Sequence, residues 1–202
     1  MLALIDYRAG NLTSVRKAFA AVGAEVATPA APADLAAARG IIVPGVGHFN
    51  VTAAIDEAWR AAIRARVAAG VPLLGICVGL QFLFEGSEEA PGLAGLGVFP
   101  GTCTLLRPAA GERLKVSHVG WNTLARCGAP RILDGIADQA FAYFTHSYAA
   151  PVVVGTVAQT THGTVFSSVV ERGTVFGAQF HPEKSSAVGL RLLANFVEVT
   201  RC

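Results

Sequence analysis

The side chain best suited to covalent chemistry is a cysteine at the centre of a Gly-x-Cys-x-Gly sequence. Cys77 lies between Gly75 and Gly79, after an apolar run at 72–76 and before an apolar helical pattern at 78–85. Glycine tolerates the crowding of a strand-to-helix turn, and the free N–H groups of the helix that follows could stabilise a thiolate or a developing oxyanion. The spacing predicts a nucleophile elbow, although a buried structural cysteine beside two packed glycines fits the same residues.

A cysteine nucleophile needs a base, and one of the five histidines is followed closely by a carboxylate. His181 comes directly after a predicted strand at 175–180, and Glu183 lies two residues later with Pro182 between them. In such a turn the carboxylate can fix one imidazole nitrogen and leave the other to face a thiol. By itself a His-Pro-Glu sequence is more often a surface turn. Combined with the elbow, it favours Cys77, His181 and Glu183 as a catalytic triad.

A second glycine turn, Pro44-Gly45-Val46-Gly47, follows a predicted strand at 41–43. If this strand and the one before Cys77 belong to the same parallel sheet, their carboxyl ends meet at one edge. A backbone N–H of Val46 or Gly47 could then join that of Val78 as an oxyanion donor. A loop whose glycines serve only to reverse the chain fits the same residues.

The elements that would position these residues follow an α/β order. Strands at 2–7, 25–28 and 41–43 alternate with predicted helices at 11–22, 35–38 and 51–69. In the second half we predict strands at 97–106, 141–148, 152–160, 165–170 and 175–180, and a closing helix at 185–199. The expected fold is a central, mostly parallel sheet flanked by helices, with added antiparallel strands in the second half, forming a single domain over residues 1–202.

Composition excludes several classes of function. The 202 residues are 52% hydrophobic, enough for one well-buried domain, and the net charge of +2 comes without a cluster of Lys or Arg that would bind nucleic acid or an anionic membrane. No apolar segment approaches the roughly 20 residues of a membrane span, and the N-terminus does not resemble a signal peptide, so we expect a cytoplasmic protein. Four widely spaced cysteines predict neither a metal site nor a disulfide framework.

At these residues the chain resembles the class I glutamine amidotransferases, whose elbow is similar to GICVGLQ at 75–81 and whose histidine motif is similar to QFHPEKS at 179–185. Four further stretches resemble one branch of that family, the glutaminase subunits of imidazole glycerol phosphate synthases. They are DYRAGNL at 6–12, PGVG at 44–47, HVGWN at 118–122 and THSY at 145–148. Together the motifs span nearly the whole chain.

The resemblance implies hydrolysis of L-glutamine to glutamate and ammonia, without cofactor or metal. The ammonia would pass to a separate cyclase subunit of (β/α)₈ barrel type, which makes imidazole glycerol phosphate and AICAR in histidine biosynthesis. Cys77 would attack the glutamine amide, His181 would transfer protons and Glu183 would orient His181. Free ammonia would be lost in water, so the resemblance implies a sealed path between the two subunits and low activity of the isolated subunit.

The remaining matched positions fall into three groups. Backbone groups of Val46, Gly47 and Val78 match the oxyanion site. The positions that match glutamine contacts are Gly45, Gln81, Thr145, His146, Ser147 and Tyr148, and those that match the partner interface are Asn11, Trp121 and Lys184. The chain departs from the usual motifs at Arg8, Val78 and Ser117. Val78 still supplies its backbone N–H, whereas Arg8 and Ser117 lie in stretches assigned to docking.

Three alternatives stay open at this stage. Another class I glutaminase, of the anthranilate or aminodeoxychorismate type, would share the triad, but the motifs at 6–12 and 118–122 disfavour it. A catalytically silent binding subunit would not require an intact triad. A cysteine-dependent hydrolase of α/β-hydrolase type would normally carry its acid before its histidine, whereas here Glu183 follows His181.

Overall fold

A nine-stranded sheet forms the framework of the computed structural model, which describes residues 1–108, 111 and 114–201. The strands are β1 (Leu2–Leu4), β2 (Val26–Ala27), β3 (Gly40–Val43), β4 (Leu73–Ile76), β5 (Gly86–Ser87), β6 (Thr102–Leu105), β7 (His118–Arg126), β8 (Ala140–His146), β9 (Tyr148–Ala149), β10 (Thr156–His162), β11 (Thr164–Arg172) and β12 (Val175–Ala178). The α-helices are α1 (Leu12–Ala21), α2 (Glu57–Ala68), α3 (Val78–Phe82) and α4 (Ser186–Val199), and short 3₁₀ helices cover Pro32–Ala37, Phe49–Ala54, Arg131–Leu133 and Pro182–Lys184.

The large sheet has the order β2-β1-β3-β4-β12-β11-β10-β7-β8, and a smaller sheet has the order β5-β6-β9. The first five strands of the large sheet are parallel and the last four are antiparallel, which confirms the predicted fold class. In register, Gly75 of β4 faces Val43 of β3 on one side and Gly177 of β12 on the other. The carboxyl ends of β3, β4 and β12 therefore meet at one edge.

Helices cover both faces of the parallel region. Along β1, Leu2 and Leu4 join a buried cluster that includes Phe19 of α1 and Phe196 of α4. The alternate residue Ala3 joins a second cluster that includes Ile63 of α2. Since successive strand side chains point to opposite faces, the sheet is buried between two helical layers, as parallel sheets require.

The prediction of one continuous helix over 51–69 is wrong. A 3₁₀ helix, Phe49–Ala54, comes first, and α2 begins only at Glu57. Asp56 separates them because its side chain accepts the backbone N–H of Trp59 at 3.0 Å, which fixes a new N-cap. The helix predicted at 35–38 is likewise a 3₁₀ helix, Pro32–Ala37.

The second half contains a strand that the sequence patterns did not predict. In β7, His118 and Leu124 are buried, whereas Val119 and Trp121 are exposed. Over the first four residues of the strand the usual alternation is thus reversed, with apolar side chains outward and a histidine inward, so a search for buried apolar residues misses it. The strand predicted over 97–106 is shorter, because only Thr102–Leu105 pairs with neighbours.

Candidate active site

The cysteine lies at a strained strand-to-helix turn, as predicted. Cys77 has φ of 53°, which is unusual for a residue with a side chain, and its backbone N–H donates to Ala178 of β12 at 2.7 Å. A Cβ at Gly75 would lie 2.4 Å from the carbonyl oxygen of Gly79, and one at Gly79 would lie 1.8 Å from that of Val43. Both glycines are therefore required by close backbone approach, and the turn has the strand-to-helix geometry predicted for an elbow.

His181 and Glu183 form a buried pair beside this elbow. The Nδ1 atom of His181 lies 2.8 Å from Oε1 of Glu183, and the two side chains are 1% and 3% exposed. Burial by itself lowers the pKa of His181, but the neighbouring Cys77 sulfur and the Glu183 carboxylate outweigh it and raise that pKa to about 10. The carboxylate accepts the Nδ1 proton, so Nε2, which has no other hydrogen-bond partner among the described side chains, is left for the cysteine.

A serine that the sequence patterns did not assign to the site holds the His-Pro-Glu turn in place. The hydroxyl of Ser185, which is 1% exposed, donates to the carbonyl of His181 at 2.7 Å and accepts the backbone N–H of Tyr143 at 2.9 Å. The N–H of His181 donates to the carbonyl of Tyr143 at 3.0 Å. The histidine is thus fixed to β8 from both sides of its backbone.

The second glycine turn packs directly on the elbow. A Cβ at Gly45 would lie 2.7 Å from Cβ of Val78 and 2.9 Å from the backbone nitrogen of Gly79. The Tyr7 hydroxyl donates to the carbonyl of Pro44; burial first, and then the Cys77 charge, raise the pKa of Tyr7 far above its usual range. The tyrosine therefore stays protonated and holds the turn against the elbow.

A cleft of about 440 Å³ opens next to the triad. Its lining contains many of the residues predicted to bind substrate or partner, together with Glu89, Ser117 and Val119: Asn11, Val46, Gly47, Thr145, His146, Ser147 and Lys184. Cys77 is only 2% exposed and is not part of this lining, so its thiol is not open to the cleft. Gly45, Gln81 and Tyr148, also predicted to contact substrate, are outside this lining too.

Glu89 is a cleft residue that the motifs did not identify. Its carboxylate oxygen Oε2 accepts the backbone N–H of Phe49 at 2.7 Å, which fixes the side chain beside the Val46–Gly47 turn. It is the acidic side chain in the described lining of this cleft. The signal in the sequence is weak, because Glu88 and Glu89 are adjacent and no recognised motif surrounds them.

Two buried histidines form a hydrogen-bonded chain at the base of the cleft. Nδ1 of His146 lies 2.9 Å from the carbonyl of Tyr148, which can only accept, so this nitrogen carries the proton. Nε2 of His146 then accepts from Nδ1 of His118 at 3.1 Å. Burial is the main cause that lowers the pKa of His146 to about 3 and that of His118 to about 4, so both rings are neutral.

The residues predicted to face a partner lie on the surface. Trp121 is 52% exposed, and it shares one face of the β7–β8 pair with Val119 and Phe141, which are 63% and 59% exposed. These three side chains form the apolar patch referred to below. Lys184 and Asn11 are exposed as well, and Nζ of Lys184 lies 5.9 Å from the ring centre of Tyr143.

The described part of the chain contains no group of three or more His, Cys, Asp or Glu side chains arranged to hold a metal ion. Within the same residues, no helix is long and apolar enough to cross a membrane. Cys77, Cys103 and Cys127 are free thiols, and Cys202 lies outside the described residues.

The chain is similar to proteins of known family. The chain is 47% identical to the imidazole glycerol phosphate synthase subunit HisH of Deinococcus radiodurans, covering 96% of this chain and 91% of the relative. It is 41% identical to the subunit of the same name from Methanothermobacter thermautotrophicus, over all of both chains. A solved structure described as a glutamine amidotransferase has the same fold, with 20% identity, a TM-score of 0.74 and 99% coverage of both chains. The glutamine amidotransferase class-I family model matches residues 3–199, and the chain therefore belongs to the class I glutamine amidotransferases.

Proposed function

We propose that this chain is the glutaminase subunit of an imidazole glycerol phosphate synthase and supplies ammonia for histidine biosynthesis. The observation that carries the proposal is the buried His181–Glu183 pair beside the Cys77 elbow. Relatives that carry this subunit name and are 41–47% identical over nearly the whole chain support the choice of branch. An anthranilate-type glutaminase would share the triad but not this similarity.

In the first half of the proposed reaction, the Cys77 thiolate attacks the side-chain carbonyl carbon of glutamine. The carbonyl oxygen takes up the negative charge and is met by backbone N–H groups of Val78, which has no acceptor within α3, and of Val46 or Gly47. The carbon–nitrogen bond then breaks as Nε2 of His181 gives its proton to the departing nitrogen. Ammonia leaves, and a thioester remains on Cys77.

In the second half, His181 is neutral and acts as a base. It takes a proton from a water molecule, the resulting hydroxide attacks the thioester carbon, and the sulfur leaves as a thiolate. Glutamate departs and the imidazolium is restored beside Glu183. The raised pKa of His181 suits this cycle, because the ring is already protonated when the leaving group needs a proton.

The cleft suggests how glutamine is placed. We assign Glu89 to the α-ammonium group of the substrate, because its carboxylate lines the cleft and is oriented by Phe49. Thr145 and Ser147 supply further polar groups in the same lining. Because Cys77 is buried and Gly45 packs against Val78 and Gly79, we infer that the 44–47 turn shifts to let the amide of glutamine reach the sulfur.

The partner in this proposal is a cyclase subunit of (β/α)₈ type. The relatives are named as subunits of a synthase, and the apolar patch offers exposed aromatic side chains of the kind that anchor interfaces. Ammonia has to travel between the sites without protonation, which a sealed path through the complex would provide. We infer that the complex works in the cytoplasm, as expected of a biosynthetic enzyme.

The test is an ammonia-release assay with glutamine, with and without the purified cyclase subunit. We expect glutamine-dependent ammonia that rises when the cyclase and its ligand are added, no turnover by Cys77→Ser, and wild-type turnover by the matched control Cys127→Ser. Ammonia release that responds to an anthranilate-type synthase subunit and not to the cyclase would contradict the choice of branch. Full turnover by Cys77→Ser would contradict the mechanism.

A further inference from the structure

The side-chain amide of Gln179 lies beside the sulfur of Cys77. Gln179 follows β12 directly and is fully buried, and its backbone N–H donates to the carbonyl of Ser168 at 2.9 Å. Its side-chain Nε2 lies 3.7 Å from Sγ of Cys77, although the two residues are 102 positions apart in the chain. Its Oε1 accepts from Nε2 of Gln81 at 3.1 Å.

The orientation of both amides is fixed by one backbone carbonyl. The carbonyl of Tyr148 can only accept, so the group of Gln81 that lies 2.8 Å from it is the NH₂. That same nitrogen faces Gln179, so the atom of Gln179 that meets it is the oxygen. The other end of the Gln179 amide, its NH₂, therefore points at the sulfur of Cys77.

An amide in this position has a specific effect on the sulfur. Burying a carboxamide without partners is costly, and here both of its ends are engaged with side chains of the elbow. A thiolate is a far stronger acceptor than a thiol, because hydrogen bonds to charged groups are stronger than those between neutral groups. The contact thus favours the reactive form of Cys77 and fixes its side-chain direction.

We propose that Gln179 is a positioning residue for the glutaminase reaction: its amide N–H holds the Cys77 sulfur and stabilises the thiolate, while Gln81 prevents the amide from rotating. The reaction it serves rests on the proposed function, but the contact with the sulfur does not. Nε2 of Gln81 donates its two hydrogens to the carbonyl of Tyr148 and to Oε1 of Gln179. Its predicted contact with glutamine would therefore be made by its oxygen.

The experiment measures the rate of Cys77 alkylation by iodoacetamide from pH 5 to 10, with modification of the Cys77 peptide followed by mass spectrometry. In Gln179→Met, which keeps the volume and removes the donor, we expect the rate at pH 7 to fall about tenfold or more, as for loss of a hydrogen bond to a charged group. The rates of variant and wild type should converge towards pH 10, where an ordinary cysteine thiol is ionised. An unchanged pH profile would overturn the proposal.

A second variant keeps the test valid if Gln179→Met fails to fold. Gln179→Glu keeps the size and the acceptor for Gln81, but its carboxylate cannot donate to the sulfur and repels a thiolate. We expect alkylation at neutral pH to fall further than in Gln179→Met, and a wild-type profile in folded Gln179→Glu would equally overturn the proposal. Gln159→Met, the same change on β10 in a half-buried position, is the matched control and should leave the profile unchanged.

Two more measurements complete the design. In the complex with the cyclase, Gln179→Met should lower kcat more than it changes KM, because the interaction is made with the nucleophile and not with substrate. In the unsubstituted chain, the side-chain amide ¹⁵N–¹H resonances of Gln179 should change with pH over the range in which alkylation of Cys77 accelerates. Resonances that stay constant over that range would refute the contact. Alkylation needs no glutamine, so failure of the ammonia assay with the cyclase would leave this result standing, and the two proposals can fail separately.

Discussion

Acidification should destabilise this fold through a buried neutral histidine. The pKa of His146 is lowered to about 3, chiefly by burial and also by the neighbouring His118, His162 and His181, whereas an unfolded histidine titrates near 6.5. Between these values the unfolded chain binds the proton and the folded chain does not, so stability falls as pH falls below 6.5. At pH 5 the linkage relation gives a loss of about 2 kcal/mol from this group, relative to pH 7.5.

The assay is urea denaturation followed by far-UV circular dichroism at pH 7.5 and pH 5.0, on wild type, His146→Gln and a control. His146→Gln is expected to lose stability at both pH values, but its difference between them should be smaller than that of wild type by about 2 kcal/mol. The control is His48→Asn, because His48 is exposed and asparagine can still accept the N–H of Asn50. An equal pH difference in wild type and His146→Gln would refute the reasoning.

Three further predictions concern the elbow, the pair and the apolar patch. Gly79→Ala should destabilise the chain by about 3 kcal/mol or more in urea denaturation, since its Cβ would lie 1.8 Å from the rigid carbonyl oxygen of Val43; a loss below about 1 kcal/mol would show that the backbone can yield. His181→Ala should abolish ammonia release, whereas Glu183→Gln should lower kcat less, because the imidazole remains but its pKa falls; normal turnover by His181→Ala would exclude it as the base. Trp121→Ala should leave the unfolding free energy of the isolated chain within about 0.5 kcal/mol of wild type, because the side chain is half exposed. It should weaken cyclase binding, measured by calorimetry, by about 2 kcal/mol. Unchanged binding would show that the interface lies elsewhere.

The parts of the site that could be predicted from sequence depend on short stretches of chain. Gly75 and Gly79 lie within two residues of Cys77, and the backbone approach that requires them is local to one turn. Glu183 lies two residues from His181, so a turn alone can join their side chains. The parallel half of the sheet was predictable for the same reason, because each strand is bounded by its own turn and helix signals.

The parts that could not be predicted depend on strands that meet only in the folded chain. Ser185 holds His181 through a contact with Tyr143, which lies 42 residues away in β8, and neither residue type suggests this contact. Glu89 is held at the cleft by a hydrogen bond from the backbone N–H of Phe49, which lies 40 residues away. Gln179 is part of the QFHPEKS stretch, but the sequence indicates no role for it, since only the pairing of β12 with β4 brings its amide to Cys77.

Three buried histidines impose opposite pH dependences on this small region. His146 and His118 must stay neutral, so their contribution to stability is complete above pH 6.5 and is lost as pH falls toward their lowered pKa values. The pKa of His181 is raised, so its contribution is complete below pH 6.5 and is lost as pH rises toward about 10. Their sum is greatest near pH 6.5, where an imidazolium beside Glu183 and two neutral rings at the base of the cleft exist together. The fold is thus stabilised most by these histidines in the same charge state that the proposed reaction requires.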